Sequence, residues 1–474
     1  MQQLSGMDTS FLNIESNACP MHVGGLIILE PPKGKPEDGG FGQVLEHVEK
    51  RLDLVPPFRR RLLSSPLDLD HPYWIEDPDF DLVHHVKHRA LPSPGNERKL
   101  IELICELASQ RLDRNLPLWE INYVEGLKGG RVAAITKMHH AAIDGVSGAE
   151  ILGNLLDTKP EPREIPPPEK PWKPDKIPST LSLYNRTARS LIGRPRDAVR
   201  VIRDTWPILM SSGREALERR RLARVGKGRG AFIKAPRTRF NHQITARRSY
   251  AYGSMRLAQI KAVKNAFGTS LNDVVMAICG QSLRRYLEEK KELPKISLIA
   301  GIPMSTRTEE QKGTAGNRVT FLRAPLHTDE KDPVECLRKI SAEMAVAKEK
   351  MRALPANLMG DWADLPAPAL MARAARLYEN FGIQDYHAPA FNVVISNVPG
   401  PPVPLYFAGM KVISNHPVSI PFHGAGFNIT LMSYCGQLDF GLTADHDTVP
   451  DIDHFAQLMM ESLQTLTDRA AKIA

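Results

Sequence analysis

Met138-His139-His140-Ala141-Ala142-Ile143-Asp144-Gly145 places two adjacent histidines where the pattern of the chain changes. Before it, Arg131-Val-Ala-Ala-Ile-Thr-Lys-Met138 is β-branched and half apolar, which predicts a strand. After it, Val146, Ile151, Leu155 and Leu156 have helical spacing, which predicts a helix over 146–156. A strand that gives way to a helix can point side chains into a cleft while its backbone stays fixed. Neighbours on an extended chain face opposite sides, so only one of the two histidines is expected to meet a given substrate. His140 and Asp144 are four apart and share a face if the helix starts that early; otherwise the aspartate serves the turn.

Three chemistries fit this run: a metal site, a general base with its support, and a pair of hydrogen-bonded structural histidines. A metal site needs at least three convergent ligands, and adjacent side chains diverge. Imidazole titrates near neutrality, which suits a general base. A serine nucleophile elbow of the form GxSxG is absent, because Gly145-Val146-Ser147-Gly148 lacks the spacing, and so is a GxxxxGK[ST] phosphate loop.

Working outward, the first 157 residues mix strands and helices. Strands are predicted at His22–Leu29, Leu82–Val86 and Ile121–Val124, and helices at Gln43–Leu54 and Lys99–Leu112. A second histidine pair, His84-His85, has no Asp-Gly after it. Residues 158–178 are a proline-rich linker that cannot be helical. Residues 179–225 read as one or two basic helices, and 226–246 as loop. From Arg247 onward, strands are predicted at Arg248–Leu257, Ser297–Pro303, Val319–Leu326, Phe391–Asn397, Gly426–Tyr434 and Leu438–Thr443. Helices are predicted at Leu257–Phe267, Ser270–Lys290, Pro333–Leu354, Pro368–Phe381 and Asp453–Ile473. The expected class is α/β with two domains, 1–157 and 247–474, joined by the segment 158–246.

Charge is concentrated in the middle. The 474 residues carry a net +8, but Trp172–Arg248 holds 20 Lys/Arg against 5 Asp/Glu, a net +15 that leaves the remainder at −7. That asymmetry points to an anionic surface or substrate nearby. Arginines interleaved with Trp206 and aliphatics favour an interfacial amphipathic helix over a solvated face, and no nucleic-acid motif accompanies them. The longest apolar runs fall short of a membrane span, and the N-terminus lacks a secretion signal. Five scattered cysteines with no CxxC pair suit a reducing cytoplasm. Gly316-Asn317 and Ser396–Gly400 read as turns. Ser270-Leu-Asn272-Asp273 reads as a helix N-terminus, where capping is the default and an oxyanion donor the alternative.

Taken together, several strings carry a resemblance. His139-His140-Ala-Ala-Ile-Asp144-Gly145 resembles the HHxxxDG box of the acyl-CoA-dependent acyltransferases, the superfamily of chloramphenicol acetyltransferase and peptide-synthetase condensation domains. More narrowly, the chain resembles the bacterial wax ester synthase/acyl-CoA:diacylglycerol acyltransferase family. That match rests on Leu4-Ser-Gly-Met-Asp8, Pro20-Met-His-Val-Gly-Gly25, Pro117-Leu-Trp-Glu120, Leu271-Asn-Asp-Val274, Pro303-Met-Ser-Thr-Arg307, Gly316-Asn317 and Ser396-Asn-Val-Pro-Gly-Pro401, in the family's order along almost the whole chain.

The resemblance implies two chloramphenicol-acetyltransferase-like domains with the site in a tunnel between them. It implies transfer of a fatty acyl group from acyl-CoA, a co-substrate, to diacylglycerol, a long-chain alcohol, or both, with no metal and no cofactor. His140 would be the general base, His139 a positioning residue, and Asp144 a structural support paired with Arg59 or Arg60. Asn272 and Gly145 would serve substrate or oxyanion, and Trp119 and Glu120 the scaffold. The implied setting is cytoplasmic, peripheral to the inner face of the membrane or to lipid inclusions, with 179–225 on an anionic membrane or lipid-droplet surface and no nucleic acid. Another acceptor within the superfamily, of condensation or polyketide-lipid type, and a catalytically silent lipid-surface or CoA-binding protein are the alternatives.

Overall fold

The computed structural model describes residues 1–32, 40–143, 151–169, 171–196, 199–201, 203, 234–305, 319–352 and 364–473. Asp144, Gly145, Arg307, Gly316-Asn317 and all of 204–225 lie outside the described residues, and with them part of the expected helix 146–156 and of the basic helices.

Among the described residues a mixed α/β architecture is observed, built on three sheets. A small sheet pairs β1 (Gln2–Gln3), β4 (Tyr73–Glu76) and β3 (Arg60–Leu63). The first large sheet runs β12 (Tyr406–Phe407), β13 (Met410–Val418), β2 (His22–Glu30), β7 (Val132–His139), β6 (Trp119–Glu125) and β5 (Val86–Ala90). The second runs β10 (Val319–Pro325), β9 (Ile299–Ser305), β11 (Val393–Val398), β14 (Phe427–Tyr434), β15 (Gln437–Asp445) and β8 (Arg248–Arg256). Pairing in the first large sheet is antiparallel except β5 with β6; in the second, β11 runs parallel to both β9 and β14.

β7 is central in its sheet and buried along its whole length, which explains why Val132 to Ile135 is apolar on both faces of the strand. Helix α1 (Gly6–Ile14) starts at Ser5, whose hydroxyl accepts from Asp8 N. Helices α2 (Phe41–Glu49) and α3 (Glu97–Ser109) flank the first sheet through the apolar stripes Val44, Val48 and Leu100, Ile104, Leu107. The helix Leu271–Glu289 is buried on nearly every face at the centre of the second half's core, so its apolar pattern is not amphipathic.

Strand β13 crosses the sequence division. A boundary at 157 and 247 assigns 406–418 to the second half, whereas strand pairing seats them on β2 in the first sheet. The crossing is tied on its other side as well. Asn415 N donates to the buried Asp439 carboxylate (2.8 Å), which also accepts from Ser254 Oγ (2.6 Å), and Tyr250 Oη donates to Pro417 O (3.1 Å). A Cβ at Gly441 of β15 would lie 1.7 Å from Pro417 O, so only glycine allows β15 to come this close to β13.

Two local expectations differ. Leu82–His84 is a single 3-10 turn capped by Asp81, whose carboxylate accepts from Val83 N, and the strand begins only at Val86. Helix α2 stops at Glu49; past it Arg51 turns inward to pair with Asp157 (2.7 Å) and bond His47 O (3.2 Å). In the middle segment, residues 180–196 are helical. Trp172 and Arg194 fasten this region to the small sheet's side through Glu76 (2.9 Å) and Asp70 (2.9 Å).

Candidate active site

His139 is the last residue of β7 and His140 the first of the turn that follows. The backbone is pinned from both sides there. His139 N donates to Leu118 O (3.0 Å), just before β6, and His140 N donates to Met21 O (2.9 Å), just before β2. Ala142 N then returns to His139 O (2.9 Å) and closes the turn. Three backbone hydrogen bonds fix where the histidine side chains leave the chain.

The two rings diverge. His139 is 0% exposed, and its Nδ1 accepts from Ala141 N (3.0 Å). Burial, then the charges of Arg114 and His140, hold its pKa down at about 3, so it is a neutral imidazole. His140 is only partly buried and its ring stacks on Phe11 of α1, centroids 4.1 Å apart. Phe11 joins one cluster with Cys19, Met21, Ile244, Ile420 and Phe422, and a second with Leu12, Leu118 and Ala141. The apolar side chains packed about Phe11 thus come from the 18–21 loop, from Ile244 and from the loop after β13.

Titratable groups surround His139. The β2–β7 register sets His22 opposite it, and burial, the Lys137 ammonium and His139 hold His22 well below the usual imidazole value. Lys137 is itself buried and donates to Leu107 O (3.2 Å) and Gln110 O (2.8 Å) at the end of α3; burial lowers its pKa to about 8. Glu15 ends α1 and pairs with Arg114 (2.6 Å). Burial pushes its carboxyl up, and Arg114 pulls it back down.

The remaining expected residues occupy separate places. Trp119 donates from Nε1 to Phe58 O (2.8 Å) and lies between Phe58 and His85, centroids 3.9 and 4.6 Å away. Glu120 pairs with Lys87 (2.9 Å). His85 Nδ1 meets Trp119 O at 2.9 Å, which gives the second histidine pair a packing role. Asn272 is the second residue of its helix and partly buried, while the cap itself is made by Ser270 and Asp273. Arg59 pairs with Asp53 and Arg60 with Glu76. Among the described residues no group of three or more His, Cys, Asp or Glu side chains is placed to hold a metal ion.

Sequence reasoning missed Phe11, Glu15 and Arg114. No spacing rule links them to 139–140, since all three arrive by tertiary approach. His22 had a signal in its position within Pro20-Met-His-Val-Gly-Gly25, but its register against His139 did not.

The family model for a wax ester synthase/diacylglycerol acyltransferase catalytic domain matches residues 4–275, and that for the corresponding C-terminal domain matches 315–467. A putative diacylglycerol O-acyltransferase of Mycobacterium tuberculosis is 33% identical over 474 residues, covering 99% of this chain and 91% of its own. A probable diacylglycerol O-acyltransferase, tgs2, of the same organism is 36% identical over 468 residues, covering 97% of each. Among solved structures, a wax ester synthase/diacylglycerol acyltransferase from Marinobacter aquaeolei VT8 is 32% identical with a TM-score of 0.70, over 99% of this chain and 100% of that one. The starter condensation domain of rhizomide synthetase, solved with C8-CoA, superposes with a TM-score of 0.54 at 11% identity over 99% and 95%, a likeness of fold.

Proposed function

The chain belongs to the wax ester synthase/diacylglycerol acyltransferase family and is an acyltransferase, and from that premise we propose that it moves a long-chain fatty acyl group from acyl-CoA to a lipid hydroxyl. The acceptor is diacylglycerol, a long-chain alcohol, or both. The observation that carries the reading is the divergence at the end of β7: one imidazole locked and neutral in the protein, its neighbour against an apolar wall.

In the proposed step His140 takes the proton of the acceptor hydroxyl as that oxygen attacks the thioester carbonyl. The tetrahedral intermediate collapses, the C–S bond breaks, and the CoA thiolate leaves with the proton returned from His140. The products are the new ester and free CoA. Such a base contributes ~10²–10⁴ in rate. Transfer is direct, without an acyl-enzyme, a metal or a cofactor. His139 positions the turn, Asp144 supports it, and Gly145 and Asn272 serve the oxyanion or the acyl chain.

The substrates partition into lipid, and two surfaces suit a peripheral place on the cytoplasmic face of an anionic membrane or on lipid inclusions. The helical run 180–196 has exposed Leu181, Tyr184 and Ile192 among Arg186, Arg189, Arg194 and Arg196, with no acidic residue. The helix Pro368–Asn380 packs against α1 and turns Leu370, Met371 and Leu377 outward beside Arg373 and Arg376. Apolar side chains flanked by arginines fit an interfacial helix. No helix among the described residues is long and apolar enough to cross a membrane.

A thiol-release assay with a long-chain acyl-CoA plus diolein or hexadecanol tests the reaction. Turnover with wild type and its loss in His140→Ala is the expected result. Full activity in His140→Ala would refute the base assignment, and no turnover with either acceptor would refute the proposed substrates.

A further inference from the structure

Glu15 follows the last turn of α1, yet its side chain is 1% exposed. Its Oε2 accepts from Arg114 Nε (2.6 Å), and Arg114 Nη2 also donates to Leu12 O (2.6 Å), which ties the guanidinium to α1. Its Oε1 has no hydrogen-bond partner among the described residues, and neither has His139 Nε2. These two orphaned atoms are 3.9 Å apart.

The other side of the His139 ring decides what Nε2 is. Nδ1 accepts from Ala141 N–H, and a neutral imidazole that accepts at Nδ1 carries its proton on Nε2. A donor therefore faces a carboxylate acceptor, both out of water and about 0.7 Å beyond hydrogen-bond reach. Unpaired polar atoms at this depth are costly, so a small side-chain shift or one bridging water is favoured.

We propose that Glu15 is a positioning residue for acyl transfer: its carboxylate, held by Arg114, takes the Nε2–H of His139, fixes that tautomer, and so locks the 139–141 turn that presents His140. The role rests on the reading of His140 as the base. With the proton on Nδ1 instead, the ring would set a donor against Ala141 N–H and the turn would have to move. Glu15 is thus coupled to a base it does not touch, through a histidine that never needs to titrate.

Nitrogen-15 NMR of histidine-labelled wild type at neutral pH is the first measurement. His139 is expected as the neutral Nε2–H form. The second uses Glu15→Gln, which keeps the volume. Facing Arg114, the new amide turns its oxygen to the guanidinium and its NH₂ to His139, which demands an acceptor at Nε2 and drives the proton to Nδ1. The expected kinetic effect is a fall in kcat on the order of 10–100-fold, as when outer hydrogen bonds that orient an imidazole are removed, with KM for acyl-CoA held within about 2-fold.

A wild-type His139 that is cationic or carries its proton on Nδ1 overturns the proposal even if the variant fails to fold. A Glu15→Gln protein that keeps the wild-type tautomer overturns it too; a fall in kcat with that tautomer retained marks Glu15 as a strut of the fold. Activity retained in His140→Ala would remove the base reading instead, and the His139 spectrum would still report the Glu15 contact.

Discussion

The ring of Phe11 lies on the imidazole of His140, centroids 4.1 Å apart and planes 17° from parallel. Phe11 is on α1 and His140 at the end of β7, so the stack joins two elements more than a hundred residues apart in the chain. A flat apolar surface on one face of the ring restricts its rotation and excludes water from that side.

Removing that surface should cost rate more than affinity. In Phe11→Leu, which preserves most of the packing, kcat is expected to fall by about 3- to 10-fold; in Phe11→Ala the fall should be on the order of 10–100-fold, since a poorly oriented base loses proximity. Steady-state kinetics alongside a melting curve separates the two effects. A Phe11→Ala enzyme with wild-type kcat would show that the stack does not orient His140.

Acid should destabilise the fold within a defined window. His139 is held at about 3, His47 and His416 at about 4, and His22 well below its usual value, each first by burial. These groups are neutral when folded and protonate at about 6.5 when unfolded. Below that pH the unfolded chain binds more protons, so stability is full above about pH 6.5 and drains as pH falls toward 4, by up to about 1.4 kcal/mol per unit for each group. Calorimetry between pH 7.5 and about 4 checks this, and a flat melting temperature across that range would contradict the buried neutral histidines.

The Arg51–Asp157 pair should behave as an all-or-none element. Its N–O distance is 2.7 Å, and the side chains are 1% and 3% exposed. Arg51→Met strips a buried carboxylate of its buried cation, leaving only the half-exposed Arg163 at 3.6 Å, and is expected to cost up to about 3–5 kcal/mol. The double change Arg51→Met with Asp157→Leu should recover much of that loss. Denaturant unfolding of the two singles and the double gives the coupling directly.

Gly441→Ala should separate β13 from β15. The new methyl would sit 1.7 Å from Pro417 O, a backbone atom that has no room to yield. Loss of soluble protein or a fall of several °C in melting temperature is expected, since overpacking costs about 1–3 kcal/mol or more. Gly153→Ala is the control: a Cβ there meets nothing within 4 Å in the helical run 151–155, and the change should be neutral or slightly stabilising.

Attachment to lipid should depend on both proposed surfaces and on salt. Neutralising Arg186, Arg189 and Arg196 together should weaken flotation with anionic vesicles and flatten its salt dependence. Leu377→Glu with Phe381→Glu should weaken it on zwitterionic vesicles as well, because Phe381 is 68% exposed and supplies apolar area. Flotation unchanged by both sets would remove these surfaces from the proposal.

Much of the fold is readable from local pattern. The helices Leu257–Phe267 and Pro333–Arg352 and the strand Arg248–Arg256 coincide with their predicted spans to within two residues, because apolar periodicity and the caps around them are local signals. Strand β13 was not readable. It carries Pro417 and a bulge between Val412 and Ser414, and its reason to be extended is a partner, β2, that lies almost four hundred residues earlier.

The same division runs through the site. By itself the sequence determined the family, through an ordered set of short strings, and located two histidines where a strand ends. Only the tertiary structure decided that His139 turns into the protein beside Glu15 and Arg114 while His140 lies against Phe11. Spacing along a chain specifies which neighbours diverge, but the burial that keeps one imidazole neutral and the aromatic face that orients the other come from elements brought together by folding.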